Sequence, residues 1–320
     1  MHWLQIPPTG HVPRFLEGAS LATDNERAPL RPKCASNRLE KDSFGRISYE
    51  QRKTSQQLMK IRTFVIGFVL ALALFLFAQH HPEAAQHAGF HAVVDLTHAI
   101  NENVPTYGLA EQSAYQVKTV ATIEKDKYFA RNISLPEHFG THIDAPAHFA
   151  RGMWTVDQIP PERLIAPLVV LDVSASAKNN PDYQVSVEDV VRWERASGQI
   201  PLGAVVMART GWDSRWDSTK DYRNADAKGI LHFPGYSEEA AKFLVEGRNV
   251  VGLGIDTLSI DYGPSKDFPV HQYTLGHSLY HLENVTNLDR IPASGAIAVV
   301  APMKLEGGSG RPVRLFALVR

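Results

Sequence analysis

The chain contains 320 residues, of which 44% are hydrophobic, and its formal net charge is −1 at pH 7. This size allows one large domain or two small ones, and the near-neutral charge, without a basic stripe, gives no reason to expect a nucleic-acid partner. Cys34 is the single cysteine, so intrachain disulfides and thiolate metal clusters are excluded, and any metal must bind nitrogen and oxygen ligands.

The N-terminal part of the chain shows no lasting helical or strand period before Met59. After that methionine, the basic residues Lys60 and Arg62 precede an uncharged, mostly apolar run at 63–78, and small and polar residues follow. This order of segments is typical of a secretory signal peptide. We therefore interpret residues 1–58 as a non-native or disordered upstream segment and Met59 as the true start of translation.

The apolar run at 63–78 also allows a second interpretation, in which it is retained as a membrane anchor. It is shorter than the about 20 residues that an α-helix needs to span a bilayer. We therefore expect residues 59–89 to be a signal peptide and a short linker, and residues 90–320 to form a periplasmic or secreted domain. Contact with a membrane is expected only if the apolar run is retained.

Predicted strands and helices alternate irregularly along residues 90–320. Several strand segments are nearly continuous apolar runs, which is typical of strands covered on both faces. Ser186 and Ser237 are predicted to cap helices at 185–198 and 237–248, and a third short helix is predicted at 276–282. These elements indicate one α/β domain with a β-weighted layered core. The predicted strands are 91–98, 115–122, 128–135, 167–173, 203–210, 249–256, 295–302 and 312–319.

The stretch HFGTHIDAPAHF (138–149) concentrates three histidines and one aspartate in a short segment. Gly140 and Pro146 argue against a helix at this position. In an extended strand, His142 and Asp144 lie on the same face, about 6.6 Å apart along the backbone. Both side chains can therefore reach one ion.

The outer histidines of this stretch need a change of chain direction to reach the same ion. On a straight strand His138 would lie about 13 Å from His142, but a turn at the intervening glycine removes this distance, because glycine accepts backbone angles that other residues avoid. The proline keeps the residue before it extended and directs His148 back toward the site. The pattern predicts a metal site formed by His138, His142 and Asp144, with room for water.

The stretch matches the signature H-x-G-T-H-x-D-x-P-x-H, and the chain resembles the cyclase family of metal-dependent hydrolases, which includes bacterial kynurenine formamidases (arylformamidases) and isatin hydrolases. The resemblance covers nearly all of residues 92–320, including VGLGIDTLSIDYG (251–263) and FPVHQYTLGHSLYHLENVTNLDRIP (268–292). It implies a single α/β domain with the swivelling β/β/α layered fold of that family. It also implies a homo-oligomer, either a dimer or a tetramer, with the site near a subunit interface.

The resemblance implies roles for the residues of the signature. In family members the first two histidines and the aspartate bind a divalent ion, which implies His138, His142 and Asp144 as metal ligands in this chain. The last histidine of the signature is implied to be a general acid and base, so His148 is the expected catalytic residue.

A second cluster of the family pattern lies farther along the chain. His271 and Glu283 resemble the pair that completes a second metal site in dinuclear family members, with Asp144 bridging the two ions. In mononuclear members His271 would remain near the substrate as a polar catalytic group. The implied cofactor is one or two Zn²⁺ or Mn²⁺ ions per chain, because both metals accept histidine and carboxylate ligands.

The implied activity is hydrolysis of a C–N amide bond in a small molecule by metal-activated water. The substrate would be an aryl formamide such as N-formylkynurenine or a cyclic amide such as isatin. Three alternatives remain: a metal-dependent lyase or cyclase, a lactone hydrolase, and a non-catalytic extracytoplasmic protein that binds a metal or ligand. The complete ligand set together with His148 favours an enzyme, since binding alone does not need a base.

Other polar residues near these motifs have two interpretations. His277 and His281 have helical i, i+4 spacing, but no HExxH pattern accompanies them, and we interpret them as structural. Asp256 and Asp261 follow an apolar strand, where they either orient the metal-binding imidazoles or stabilise a turn.

Two tryptophans are candidates for the wall of the substrate pocket. Trp154 follows the metal-binding stretch closely and is a candidate for stacking on a substrate. Trp212 lies just after the end of the predicted strand at 203–210, and is predicted to line the same pocket.

Overall fold

The computed structural model describes residues 89–108 and 115–320, which belong to one compact unit. The predictions for residues 1–58 and for the apolar run at 63–78 lie outside the described residues. Within the described ranges, no helix combines the length and the apolar character that crossing a membrane requires.

More of the described residues lie in strands than in α-helices, and the α-helices lie mainly in the connections between the central strands. The strands are β1 (Ala92–Asp95), β2 (Gln116–Ala121), β3 (Ala130–Ser134), β4 (His142–Asp144), β5 (Ile165–Asp172), β6 (Gln184–Val185), β7 (Val205–Arg209), β8 (Gly235–Tyr236), β9 (Gly252–Ile255), β10 (Tyr280–Glu283), β11 (Ala296–Pro302) and β12 (Gly310–Val319). The α-helices are α1 (Ile123–Asp126), α2 (Ser174–Asn179), α3 (Val187–Ser197), α4 (Thr219–Arg223), α5 (Glu238–Arg248) and α6 (Pro269–Gly276). Short 3₁₀ helices cover Pro146–His148, Val156–Gln158, Pro161–Arg163, Trp212–Arg215 and Leu288–Arg290.

The main sheet closes on itself. Its strand order is β1-β12-β11-β5-β7-β9-β10-β4, and β4 pairs in addition with β12. The pairs β5–β7, β7–β9 and β9–β10 are parallel, with helices in the connections between them, and the other pairs of this sheet are antiparallel. The structure is therefore a mixed α/β single domain, as predicted, and the closed sheet adds a barrel that the strand pattern did not reveal.

Both faces of the central strands are buried. Along β5, Leu168 and Val170 belong to one apolar cluster, whereas Val169 and Leu171 belong to a second cluster on the opposite face. This alternation follows from the twofold period of side chains in a strand, and it explains the continuous apolar sequence of β5. Leu244 of α5 is fully buried in the second cluster, so the helical layer covers that face.

The predicted helix starts are confirmed. The Ser186 side chain accepts a hydrogen bond from the Asp189 backbone N–H, and Asp189 reaches back to the cap in a capping box. Ser237 likewise accepts from the backbone N–H of Ala240. The caps satisfy backbone donors that the first helical turn leaves unpaired, which is why these helices begin where the sequence predicts.

The third predicted helix, at 276–282, is wrong. The helix α6 ends at Gly276, and Ser278 has a positive φ of 64°. The chain then enters strand β10, which pairs with β9 on one side and with β4 on the other. Two ladders of backbone hydrogen bonds to distant strands outweigh the local helical pattern, and no local signal predicts those ladders.

Candidate metal centre and active site

Neighbouring strands β4 and β10 place four polar side chains on one face of the sheet. In their antiparallel register His142 lies opposite Glu283, and Asp144 lies opposite His281. Ile143, between the two β4 residues, is fully buried in the first apolar cluster. The twofold period of each strand therefore separates the polar site from the core, and the predicted common face of His142 and Asp144 is confirmed.

A turn at Gly140 brings His138 to the same site, as predicted, with a φ of +66°. The Nδ1 atom of His138 lies 2.6 Å from Oδ1 of Asp144, and its Nε2 lies 3.1 Å from Oγ of Ser309. The imidazole lies directly over Gly310, where an added Cβ would come within 2.4 Å of the ring. The absence of a side chain at Gly310 therefore makes room for His138.

His142 is held between the backbone and two carboxylates. Its Nδ1 lies 2.9 Å from the carbonyl oxygen of Gly140, and its Nε2 lies 3.2 Å from Asp144 and 3.4 Å from Glu283. Burial disfavours the charged imidazole, but the neighbouring carboxylates outweigh burial and raise the pKa of His142 to about 9. The position thus strongly favours a positive charge, which either a proton or a metal cation can supply.

The helix α6 brings His271 to the site, and Asp261 orients it. Oδ2 of Asp261 lies 2.7 Å from Nδ1 of His271, and the Asp261 carboxylate also accepts the backbone N–H groups of Val270 and His271. The other ring nitrogen, Nε2, then faces Asp144 Oδ2 at 3.5 Å and Glu283 Oε1 at 3.3 Å. Of the two interpretations of Asp261, the structure supports the one in which it orients an imidazole.

Asp256 stabilises a turn, which is the second of the two interpretations. Its carboxylate accepts hydrogen bonds from the backbone N–H and hydroxyl of Thr210 and from the backbone N–H of Gly211. Burial of the carboxyl raises the pKa of Asp256 to about 6. Asp256 therefore holds the turn that follows β7 and does not orient a ligand imidazole.

His148 lies on the 3₁₀ turn that follows Pro146 and faces the same site. Its ring stacks on His138 with 4.0 Å between ring centroids, and it lies 6.1 Å from the ring of His271. Burial lowers the pKa of His148 to about 4. The imidazole is therefore neutral at pH 7 and can accept a proton.

The polar cluster forms one side of a cavity of about 250 Å³. Tyr107, Phe149 and Phe268 form an aromatic wall, and Leu258 also lines the cavity. The sequence interpretation missed this wall, although Phe149 is the last residue of the metal-binding stretch and Phe268 begins the second family segment. Their positions beside His148 and α6 are the signals that could have identified them.

The structure does not place the two predicted tryptophans among the described residues that line this cavity. Trp212 is buried in a separate apolar cluster, and its indole N–H donates to the backbone carbonyl of Tyr222. Trp154 lies under the guanidinium of Arg163, 5.3 Å from the ring centroid. The prediction for both residues is corrected, because burial and the cation–π contact direct the rings to other surroundings.

The nitrogen and oxygen atoms of the site fit a metal ion. Two groups of side chains each bring their potential ligand atoms within 4.8 Å of one another, and Asp144 belongs to both groups. Burial alone would raise the pKa of Asp144, but the imidazoles around it, His142 first among them, lower it well below its usual range. One group consists of Asp144, His271, His281 and Glu283, and the other of His138, Asp144 and His148. A shared, ionised carboxylate is the arrangement that a bridging ligand requires.

Two buried atoms of the site also lack a donor among the described residues. Asp144 Oδ2 and His281 Nδ1 have no hydrogen-bond partner, and they lie 3.6 Å apart. Buried acceptors are normally paired, and two that face each other are best satisfied by a cation between them. The residues present could therefore hold a metal ion.

Comparison with known proteins shows which family the chain resembles. Residues 94–262 match the Cyclase family model, described as "Putative cyclase". The isatin hydrolase of Roseibium aggregatum is 34% identical over 242 residues, which cover 71% of this chain and 91% of that protein. The kynurenine formamidase of Salinibacter ruber is 26% identical over 183 residues, covering 57% of this chain and 76% of that protein. The solved structure of isatin hydrolase A from Ralstonia solanacearum superposes with a TM-score of 0.69 at 35% identity, covering 79% of this chain and 97% of that one.

Proposed function

This chain belongs to the Cyclase family, and we propose that it is a metal-dependent amidohydrolase that opens the C–N bond of a small cyclic aryl amide such as isatin. One observation carries the proposal. Asp144 is shared by two groups of potential ligand atoms at the side of a cavity, and one of these groups contains the neutral imidazole of His148. This arrangement combines a place for a divalent cation with a proton acceptor.

The proposed ligands are His138, His142 and Asp144, with His271 and Glu283 completing a second position. A divalent ion, either Zn²⁺ or Mn²⁺, would supply Lewis-acid chemistry by polarising the substrate carbonyl and lowering the pKa of water. The chain contributes the ligand atoms and, through Asp261, the orientation of one imidazole.

The proposed proton path uses His148. An imidazole nitrogen of His148 accepts a proton from the attacking water and returns it to the departing amide nitrogen, which suits a neutral imidazole near pH 7. The products are a carboxylic acid and an amine, and a cyclic amide keeps both groups in one ring-opened molecule. His271 remains at the site as a ligand or, with one ion bound, as a polar group near the substrate.

The cavity favours a compact aromatic substrate. Its volume of about 250 Å³ is below the ~300–1,000 Å³ that is usual for ligand pockets. The rings of Phe149 and Phe268 lie 5.7 Å apart between centroids, and Phe149 lies 4.7 Å from the ring of His271. A flat bicyclic amide can pack on these rings while its carbonyl reaches the polar side of the cavity.

A second candidate substrate is an aryl formamide such as N-formylkynurenine, which the similarity to kynurenine formamidases supports. The test is a substrate panel with the purified protein, containing isatin, N-formylkynurenine, simple aryl formamides, an aryl lactone and an ester. We expect metal-dependent hydrolysis of isatin that a chelator abolishes and that Mn²⁺ or Zn²⁺ restores. Faster turnover of a formamide would favour the second candidate, and lactone turnover would favour a lactone hydrolase. Stoichiometric metal binding without turnover of any panel member would instead favour a non-catalytic binding protein.

We also propose that the domain is exported. The basic residues before the apolar run at 63–78 support a cleaved signal peptide, and an exported enzyme would meet an environmental substrate. N-terminal sequencing of the protein from its native cells tests this proposal. A new N-terminus between 78 and 88 is expected, whereas an intact apolar run in the membrane fraction would indicate an anchor.

We further propose a homo-oligomer, either a dimer or a tetramer. Strands β2 and β3 form a separate hairpin with exposed apolar side chains, among them Val120, Tyr128, Phe129 and Ile133. A second copy of the chain would cover these side chains, which are costly to leave in water. Sedimentation velocity of the wild type and of Ile133→Asp tests the proposal, and a monomeric wild type would contradict it.

A further inference from the structure

His281 and His277 have helical i, i+4 spacing in the sequence, but the structure places them in different surroundings. His277 is exposed, and its Nδ1 atom lies 2.7 Å from the backbone carbonyl of Tyr273. His281 lies on β10 with no exposed surface and faces Asp144 across the strand ladder. The two histidines therefore do not form a pair, and only His281 reaches the metal centre.

Thr274 fixes the tautomer of His281. The Thr274 Oγ1 atom lies 2.7 Å from the carbonyl oxygen of Val270 and 2.6 Å from Nε2 of His281. A threonine hydroxyl has one proton to donate, so both contacts are hydrogen bonds only when His281 Nε2–H donates to Oγ1 and Oγ1–H donates to Val270. The lone pair of the His281 imidazole is therefore on Nδ1.

That lone pair faces another acceptor. His281 Nδ1 lies 3.6 Å from Asp144 Oδ2, and neither atom has a donor among the described residues. A histidine with a purely structural role would have both ring nitrogens paired, as buried polar atoms usually do. The unpaired Nδ1 therefore indicates a ligand for a cation.

The spacing of the surrounding atoms agrees with this interpretation. Ligand atoms about 2.0–2.2 Å from a tetrahedral ion lie about 3.3–3.6 Å from one another. His271 Nε2 lies 3.5 Å from Asp144 Oδ2 and 3.3 Å from Glu283 Oε1, and His281 Nδ1 lies 3.6 Å from Asp144 Oδ2. Each of these distances corresponds to an edge of such a tetrahedron.

We propose that His281 Nδ1 is a metal ligand, which together with His271, Asp144 and Glu283 forms a buried N₂O₂ site for a divalent cation. Thr274 is a positioning residue that keeps the Nδ1 lone pair directed at the ion. The inference rests on the proposed function only in taking Asp144 as a metal-binding carboxylate. It adds to the expected second site a fourth protein ligand, which the sequence interpretation treated as structural.

The test measures metal binding rather than turnover. The full chain is stripped of metal and titrated with Zn²⁺ and with Co²⁺, and stoichiometry, affinity and the visible spectrum of bound Co²⁺ are recorded for wild type, His281→Phe and His277→Phe. We expect two ions in the wild type and in His277→Phe. In His281→Phe we expect one ion, or a second ion bound at least ~10-fold more weakly, which is the lower end of the effect of losing even an outer partner of a ligand.

Thr274 provides an independent arm of the test. Thr274→Val is expected to weaken the same ion ~10–100-fold, because the Nε2–H loses its acceptor, and Thr274→Ser is expected to restore it. If His281→Phe does not fold, X-ray absorption of the fully loaded wild type counts the imidazole ligands directly. A spectrum that requires one imidazole more than the histidines of the first site and His271 supply supports the proposal, and a spectrum that requires no further imidazole contradicts it.

Two results would overturn the proposal. The first is that His281→Phe binds the same number of ions as the wild type with the same affinity. The second is that the wild type binds only one ion and that His281→Phe binds this ion with unchanged affinity. Both results are compatible with amide hydrolysis, so the proposed function would stand. Conversely, the protein could bind two ions in a way that depends on His281 and yet hydrolyse no substrate of the panel. That result would contradict the proposed function and support His281 as a metal ligand.

Discussion

Glu283 lies directly opposite His142 across the β4–β10 ladder, with Glu283 Oε2 3.4 Å from His142 Nε2. The same register places His281 opposite Asp144. Strand pairing alone therefore assembles residues from two distant segments into one polar face. A slip of one residue in this register would turn the β10 side chains toward the core. The pairing of β4 with both β10 and β12, which closes the barrel, is therefore needed to form the site.

Removal of the shared carboxylate should abolish metal binding. Asp144→Asn replaces a charged ligand of both candidate metal groups by a neutral amide, which binds cations far more weakly and does not bridge two of them. We expect less than one equivalent of Zn²⁺ or Mn²⁺ after dialysis, measured by elemental analysis. The matched control is Asp289→Asn on an exposed 3₁₀ turn, which should retain the wild-type content. Full metal content in Asp144→Asn would show that the ion lies elsewhere.

Substitution of His148 should separate catalysis from metal binding. His148→Ala removes the proposed base, so kcat for the best substrate of the panel should fall at least ~100-fold while the metal content stays unchanged. His277→Ala, at an exposed histidine away from the cavity, serves as the control and should retain full activity. Loss of the ion in His148→Ala would identify His148 as a third ligand of the group that includes His138 and Asp144.

The fit of Gly310 beneath His138 gives a third prediction. In Gly310→Ala the new Cβ would lie 2.4 Å from the imidazole, so the ring must leave its present position, in which its Nδ1 lies 2.6 Å from Asp144 Oδ1. We expect the metal affinity to fall ~10-fold or more, comparable to the loss of a partner that orients a ligand. Gly276→Ala is the control, because a Cβ there meets no atom within 4 Å. Equal metal affinity in both variants would show that His138 is not a required ligand.

The parts of the site that could be predicted are those that depend on local sequence. The common face of His142 and Asp144 follows from the twofold period of a strand, and the approach of His138 follows from the turn at Gly140. In contrast, His281 becomes a candidate ligand only because β10 pairs with β4 and because Thr274 lies on α6. These relationships join distant segments, and no spacing within either segment encodes them.

The predictions that proved wrong also failed because they depend on contacts between distant segments. Residues 276–282 carry a helical pattern in isolation, but pairing with β9 and β4 makes the end of the segment, from Tyr280 onward, a strand. Trp212 follows a strand end near the site in sequence, yet its ring is buried in a separate cluster. Whether a side chain points toward a cavity or away from it depends on the packing of neighbouring elements, which a single segment does not specify.

The buried carboxyl of Asp256 predicts a pH-dependent stability. Burial raises its pKa to about 6, Thr210 opposes this rise through hydrogen bonds, and Asp213 adds to it. An aspartate in the unfolded chain has a pKa of about 3.9. The folded protein therefore binds the Asp256 proton more tightly than the unfolded chain, and this contribution to stability is full below about pH 4 and is lost as the pH rises through about 6.

The loss amounts to about 3 kcal/mol, since one pKa unit corresponds to about 1.4 kcal/mol. Asp256→Asn removes this titration, although it also changes the hydrogen bonds with Thr210 and Gly211 by a constant amount. The measurement is the free energy of unfolding by urea for both proteins at pH 4, 5, 6 and 7 in the presence of a chelator. The difference, wild type minus variant, should decrease by about 2 kcal/mol between pH 4 and pH 7, because the unfolded aspartate is already about half ionised at pH 4. Other titrating groups cancel in this difference, so a difference that stays constant with pH would show that folding does not raise the pKa of Asp256.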